Sequence, residues 1–234
     1  MLGYISYLPC KPEQTESGFG RRALLAGLLA FGAVPAWAQG KLDAAGATFS
    51  DFGIADNGAS LGQAADQAGN AQDDKPARVL GIDQSGGFAR VRFDAVKAEV
   101  GIPLGWTARE DWERGVATFA ARGWRLLVWR IDFAFEGVRD AEHYAASKVG
   151  AIQARRPGVR GRARKLADGS FLIVFENVPP SSGDSGGRRT VLDLVVPAPG
   201  SGKEGILLTL GVPEAEGDRA VRLLALLKDS LKVH

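Results

Sequence analysis

The amino-acid sequence predicts an α+β fold, a largely antiparallel sheet of about six strands sandwiched between helices in an α/β/α arrangement. Three observations predict it. Segments of period-2 hydrophobicity recur from residue 88 onward, separated by turn residues such as Asp168-Gly169 and the run from Pro179 to Gly187. Two of these segments, FLIVFENV and GILLTLGV, are apolar on both faces and have to be covered on both sides. Helical patterns near 140–155 and 218–231 supply the covering layers.

The elements follow in order. Residues 1–22 are polar and end in Arg21-Arg22, residues 23–38 (ALLAGLLAFGAVPAWA) carry no charge, and Ala36-Trp37-Ala38 supplies a small-x-small site. These are the three parts of a secretory signal, expected to be cleaved near Ala38. The apolar run is 16 residues long and contains Pro35, which is short for a spanning helix; an uncleaved anchor is the alternative. The arginine pair resembles a twin-arginine signal, although it lacks the Ser/Thr before the pair and the Phe after it. The expected location is therefore periplasmic or secreted in a bacterium, with no membrane span after cleavage. The single cysteine, Cys10, lies in the removed segment. A cysteine-free mature chain suits an oxidising compartment and excludes a thiolate nucleophile or thiolate metal site.

Residues 39–75 are rich in Ala, Gly, Asn and Gln and show no sustained apolar period. Asp43, Asp51, Asp56, Asp66, Asp73 and Asp74 stand against Lys41 and Lys75, so an acidic disordered tail or linker is expected. A single domain is expected over 76–234. Residues 88–96 alternate, with Ala89, Val91, Phe93 and Ala95 on one face and Arg90, Arg92 and Asp94 on the other. Residues 124–135 read as the strongest strand, with Leu127, Trp129, Ile131, Phe133 and Phe135 on one face. Leu126 and Val128 share the other face with Arg130 and Asp132. Asp140 caps a helix to about Arg155 that presents Ala141, Ala145, Val149 and Ile152. Strands follow near 159–166, 170–178, 190–196 and 205–212. Asp218 then caps a last helix with the stripe Ala220, Leu224, Leu227 and Leu231.

Short motifs accompany this order. Pro103-Leu104-Gly105-Trp106 follows the first hairpin, Asp168-Gly169 leads to Phe171 and Phe175-Glu176, Arg189 opens the next strand, and Asp229-Ser230-Leu231 closes the last helix. On these motifs residues 88–233 resemble the PsbP-like family, named for the extrinsic protein of the oxygen-evolving complex. The resemblance implies an antiparallel sheet between helices and a binding or assembly role without catalysis, often beside a larger complex. It implies no metal here, because the chain lacks a histidine-based metal pattern, and a photosynthetic partner does not follow from it.

The chain holds 29 Lys+Arg and 27 Asp+Glu, so no whole-chain charge draws it to nucleic acid. The charge is instead local. Arg155, Arg156, Arg160, Arg162, Arg164 and Lys165 fall within eleven residues, and Arg160, Arg162 and Arg164 alternate onto one strand face. Like charges on one face repel, and an anionic ligand, an acidic protein patch or a lipid headgroup would relieve the cost. A solvated edge strand, on which charge blocks sheet-to-sheet pairing, explains the same pattern. Trp112 lies among Arg109, Glu110, Asp111, Glu113 and Arg114 and is a candidate exposed contact, whereas Trp106, Trp124 and Trp129 are expected in the core.

Catalytic patterns are weaker. Gly183-Asp184-Ser185-Gly186-Gly187 matches a serine-protease nucleophile motif, but His143 is the only histidine upstream and lies in a helix. Asp132, Glu136, Asp140 and Glu142 cluster without a forced acid pair. Ser85-Gly86-Gly87 reads as a turn, and no phosphate-binding or dinucleotide fingerprint occurs. The sequence thus points to an exported, non-catalytic binding or assembly factor with no cofactor. A carboxylate- or serine-based hydrolase and a small-ligand carrier using exposed Trp are the alternatives.

Overall fold

Strands that are apolar on both faces need two cores, and the protein builds one on each side of a large sheet. The computed structural model describes residues 42–54, 78–111 (108–111 as backbone), 116–121, 123–180, 187–200 and 202–234. The signal segment, Trp112 and Ser185 lie outside the described residues.

A small sheet comes first. Strands β1 (Arg78–Asp83), β2 (Phe88–Phe93) and β3 (Ala98–Pro103) form an antiparallel meander, and β11 (Lys232–Val233) joins beside β3. The large sheet contains β4 (Thr107–Asp111), β5 (Val116–Ala121), β6 (Trp124–Asp132), β7 (Arg160–Lys165), β8 (Phe171–Val178), β9 (Arg189–Pro197) and β10 (Glu204–Pro213). Its order is β4-β5-β6-β10-β9-β8-β7, and every pairing is antiparallel. Helix α1 (Ala141–Arg155) packs across β7, β8 and β9, and helix α2 (Gly217–Ser230) packs on β3, β9 and β10. The α+β class and the antiparallel sheet between helices are as the sequence predicts. The strands number more than six and divide into two sheets.

One core joins the small sheet, α2 and one face of the large sheet through Phe93, Phe119, Leu126, Leu194, Leu208 and Leu224. The other lies beneath α1 and gathers Ile131, Phe133, Tyr144, Ile173, Phe175 and Leu207. FLIVFENV and GILLTLGV contribute to both, as their two-faced apolarity requires. Helix α1 begins as expected, because the Asp140 carboxylate accepts the His143 N–H at 2.8 Å. That bond holds the Asp140 pKa below the ordinary carboxylate value.

Several local expectations are corrected. Strand β6 stops at Asp132, whose carboxylate accepts the N–H groups of Ala134 and Phe135 and turns the chain. Phe133 is therefore buried, but Phe135 is 88% exposed and leaves the predicted strand face. Leu127 and Trp129 are only half-buried, because α1 lies over β7–β9 and not over β6. The opposite face, with Trp124, Leu126 and Val128, is buried along this stretch, and the first face is buried only from Ile131 on. Arg130, on the face of Leu126 and Val128, donates to Glu204 on β10. Asp218 does not cap α2; a 3-10 helix, Glu214–Glu216, leads into it and Asp218 sits in its first turn, where a negative charge suits the helix dipole. Leu231 marks the C-terminal cap rather than a fourth buried rung.

Residues 42–54 depart from the disorder expected of 39–75 and form an ordered strap. Thr48 and Asp51 close a reciprocal cap on the 3-10 helix Phe49–Phe52, and both phenylalanines are buried. The Trp106 indole N–H donates to the Phe52 carbonyl at 2.9 Å, and the Ile54 N–H donates to the Leu104 carbonyl at 3.0 Å. Two well-placed aromatic rings overcome the low average hydrophobicity of this stretch.

One charge is taken inside the fold. Asp193 on β9 is almost wholly buried, receives the Thr209 hydroxyl from β10, and pairs with Lys148 of α1 at 2.9 Å. Burial alone lowers the Lys148 pKa, but Asp193 and Tyr144 together hold it above the ordinary lysine value. Burial raises the Tyr144 pKa, with Lys148 opposing. Removing the ammonium leaves an uncompensated internal carboxylate, so Lys148→Met is expected to lower stability by about 3 kcal/mol in urea melts. Both groups have folded pKa values above their ordinary 10.5 and 10.0, so their stabilising effect is complete below about pH 10 and declines as pH rises further. Thermal melts across that range are expected to show a steeper alkaline loss in the wild type than in Lys148→Met.

Candidate binding edge

Strand β7 is an edge strand of the large sheet, at the end opposite β4, and pairs with β8 alone among the described strands. Its position follows from its composition, since a strand of charged and small residues cannot occupy the sheet centre. The alternation holds. Arg160, Arg162 and Arg164 register with Glu176, Val174 and Leu172 of β8 and share their face. Gly161 lies between two arginines because the other face is tight, and a Cβ there would come within 2.9 Å of the Phe175 ring and 3.2 Å of Val149 on α1.

The structure brings part of the basic cluster to one carboxylate. Arg162 pairs with Glu176 at 2.6 Å and Arg160 with the same group at 3.5 Å. The arginine side chains remain 47% and 75% exposed. Both line a groove of about 270 Å³ between the sheet edge and the start of α2. Glu214 and Asp218 line the same groove from the α2 side, over the apolar Val174 and Leu192. It therefore presents guanidinium and carboxylate groups beside an apolar surface, which suits polar and charged segments of another molecule.

The remaining members of the cluster are spread along the same end of the fold. Arg155 is the last residue of α1 and Arg156 its C-terminal cap, where positive charge is favoured by the helix dipole. Lys165 lies 5.7 Å from the centre of the Phe171 ring. Arg164 is half-buried, unlike its two exposed neighbours. Glu176, Glu214 and Asp218 belong to the groove but escaped the sequence reading. Glu176 is legible only once the β7–β8 register is known, and the other two need the placement of α2 on the sheet.

Groups with catalytic precedent have other work. Asp140 caps α1 and Asp132 forms the turn after β6. The His143 ring accepts the Arg139 N–H at 3.4 Å. Trp106 and Trp124 are buried, as expected. Among the described residues no group of three or more His, Cys, Asp or Glu stands close enough to hold a metal. No described helix is long and apolar enough to cross a membrane.

No family model and no curated protein matches the chain. Similar solved structures include the Ran-binding protein Mog1p of Saccharomyces cerevisiae, at 11% identity and a TM-score of 0.44, over 62% of this chain and 95% of that one. They also include PsbP (CyanoP) of the cyanobacterium Synechocystis sp. PCC 6803, at 17% identity and a TM-score of 0.45, over 66% of this chain and 95% of that one. Likeness at this level assigns neither family nor activity.

The Glu176 bridge is an exposed pair of ion pairs, and such pairs contribute little. Glu176→Gln is therefore expected to change the unfolding free energy by less than about 1 kcal/mol in urea melts while removing one negative charge from the edge.

Proposed function

We propose that the protein is an exported, periplasmic, non-catalytic binding or assembly factor that captures an acidic envelope component through its basic β7 edge. The observation that carries this reading is the placement of Arg160 and Arg162, exposed side by side on the edge strand β7 at the mouth of a groove. Guanidinium forks recognise carboxylate and phosphate groups in a fixed geometry, and a strand edge adds backbone donors and acceptors to the same contact. Arg155, Arg156, Arg164 and Lys165 extend the positive field along this end of the molecule. The partner is an envelope protein or another anionic ligand; β4, after which Trp112 follows in the sequence, is at the opposite edge of the sheet, so Trp112 is left out of this contact. The Arg21-Arg22 pair, apolar run and Ala36-Trp37-Ala38 site support export.

The test is affinity capture of residues 39–234 from envelope extract, read by mass spectrometry at low and moderate salt. The wild type is expected to retain a specific component whose recovery falls as salt rises. Arg160→Glu with Arg162→Glu is expected to lose it while circular dichroism and melting temperature stay near wild type. Undiminished capture by the folded double variant would overturn the reading.

A further inference from the structure

Strand β7 turns half of its backbone outward, and its hairpin to β8 fixes which half. The Leu166 N–H donates to the Ser170 carbonyl at 2.8 Å, so these two residues form a hydrogen-bonded pair. Such pairs alternate with non-bonded ones along an antiparallel ladder. Arg160, Arg162 and Arg164 register with Glu176, Val174 and Leu172, so the backbone of the three arginines bonds β8. The N–H and C=O groups of Gly161, Ala163 and Lys165 then point away from the sheet. The side-chain amide of Gln153 on α1 agrees with this parity, because it reaches the Gly161 carbonyl at 3.4 Å. Helix α1 does not close the rest of the edge, since Ala163 at its centre is exposed.

The same parity sets the chemistry of a strand that adds here. A strand placed antiparallel outside β7 bonds to Gly161, Ala163 and Lys165, and its alternate residues stand opposite the three arginines in non-hydrogen-bonded pairs. Those are the close pairs, with Cα atoms about 4.5 Å apart, so a side chain there meets a guanidinium directly. Glu176 reaches Arg160 and Arg162 from β8, on the inner side, and both arginines remain exposed. Carboxylates are favoured opposite them and a Lys or Arg is repelled. Small residues suit the positions between, which lie on the side of Gly161 and of Val149 on α1.

We propose that β7 takes up, by antiparallel strand addition, an extended segment of the partner that carries Asp or Glu at every second residue. This rests on the capture reading above and specifies the shape and sequence of what is captured. The outward backbone of Gly161, Ala163 and Lys165 supplies affinity, and Arg160, Arg162 and Arg164 select the register.

The probes are short acetylated peptides of threonine and glutamate, titrated at low salt into the isotope-labelled protein and followed by NMR. The peptide in which the two residues alternate is expected to shift the amide signals of Gly161, Ala163 and Lys165. It is expected to bind at least about tenfold more tightly than a peptide of the same composition with its glutamates contiguous. N-methylation of the threonine amides, which face β7 in this pairing, is expected to weaken binding at least about tenfold. N-methylation of the glutamate amides, which face outward, is expected to leave it within about twofold. Ala163→Pro removes one outward donor and no bond to β8, and is expected to weaken the alternating peptide at least about fivefold with circular dichroism unchanged. If that variant fails to fold, the N-methyl series on the wild type decides. Equal, salt-sensitive binding of all the peptides would overturn strand addition and leave the basic edge as an electrostatic contact. Failure of the alternating peptide to bind would overturn it too, whatever envelope capture shows. Failure of the capture reading registers separately, as undiminished envelope capture by the folded Arg160→Glu/Arg162→Glu variant.

Discussion

Burial of β8, β9 and β10 on both faces is the constraint from which the rest of the architecture follows. A strand such as Phe171–Val178 sends Leu172 and Val174 to one side and Ile173 and Phe175 to the other, and neither set can face water. Two covering layers are therefore needed, and the chain supplies α1 on one face and α2 with the small sheet on the other. The buried Asp193–Lys148 pair belongs to the same constraint, because it ties α1 to the centre of the sheet where an apolar contact alone would not fix its position.

Coverage is uneven, and the sheet meets solvent where it runs out. The centre of the sheet is sealed, so chemistry with solvent is left to the rims. Strand β7 closes one rim with charge, which keeps the sheet from pairing with other sheets and gives the molecule a basic end. These two consequences of one composition are not in competition, since a strand edge that repels its own kind can still accept an acidic partner. Beside the first turn of α2 the strap fills a surface that the two sheets and α2 leave open, with Arg219 standing over the aromatic rings.

Much of this was legible in the residues. Ala89, Val91 and Phe93 alternate and are buried, Asp140 caps α1, and the two-faced strands announce a covered sheet. What escaped had weak local signals. Strand β3 is buried along its whole length and contains Gly101 and Pro103, so it shows no alternation. The boundary of β6 depends on Asp132 turning the chain, which hydrophobicity does not report. The strap has only Phe49 and Phe52 as anchors in an Ala- and Gly-rich stretch, and their partners Phe88 and Trp124 are remote in sequence. The basic cluster was visible at once, but its shared carboxylate, Glu176, emerges only from strand register.

The most direct test of the account is a hydrogen–deuterium exchange map of the protein with and without a component retained in the proposed affinity capture. The account predicts slowed backbone exchange along β7, from Arg160 to Lys165, and in the first turn of α2, with the opposite rim at β4 unchanged. Tight capture with protection elsewhere and none along β7 would contradict it.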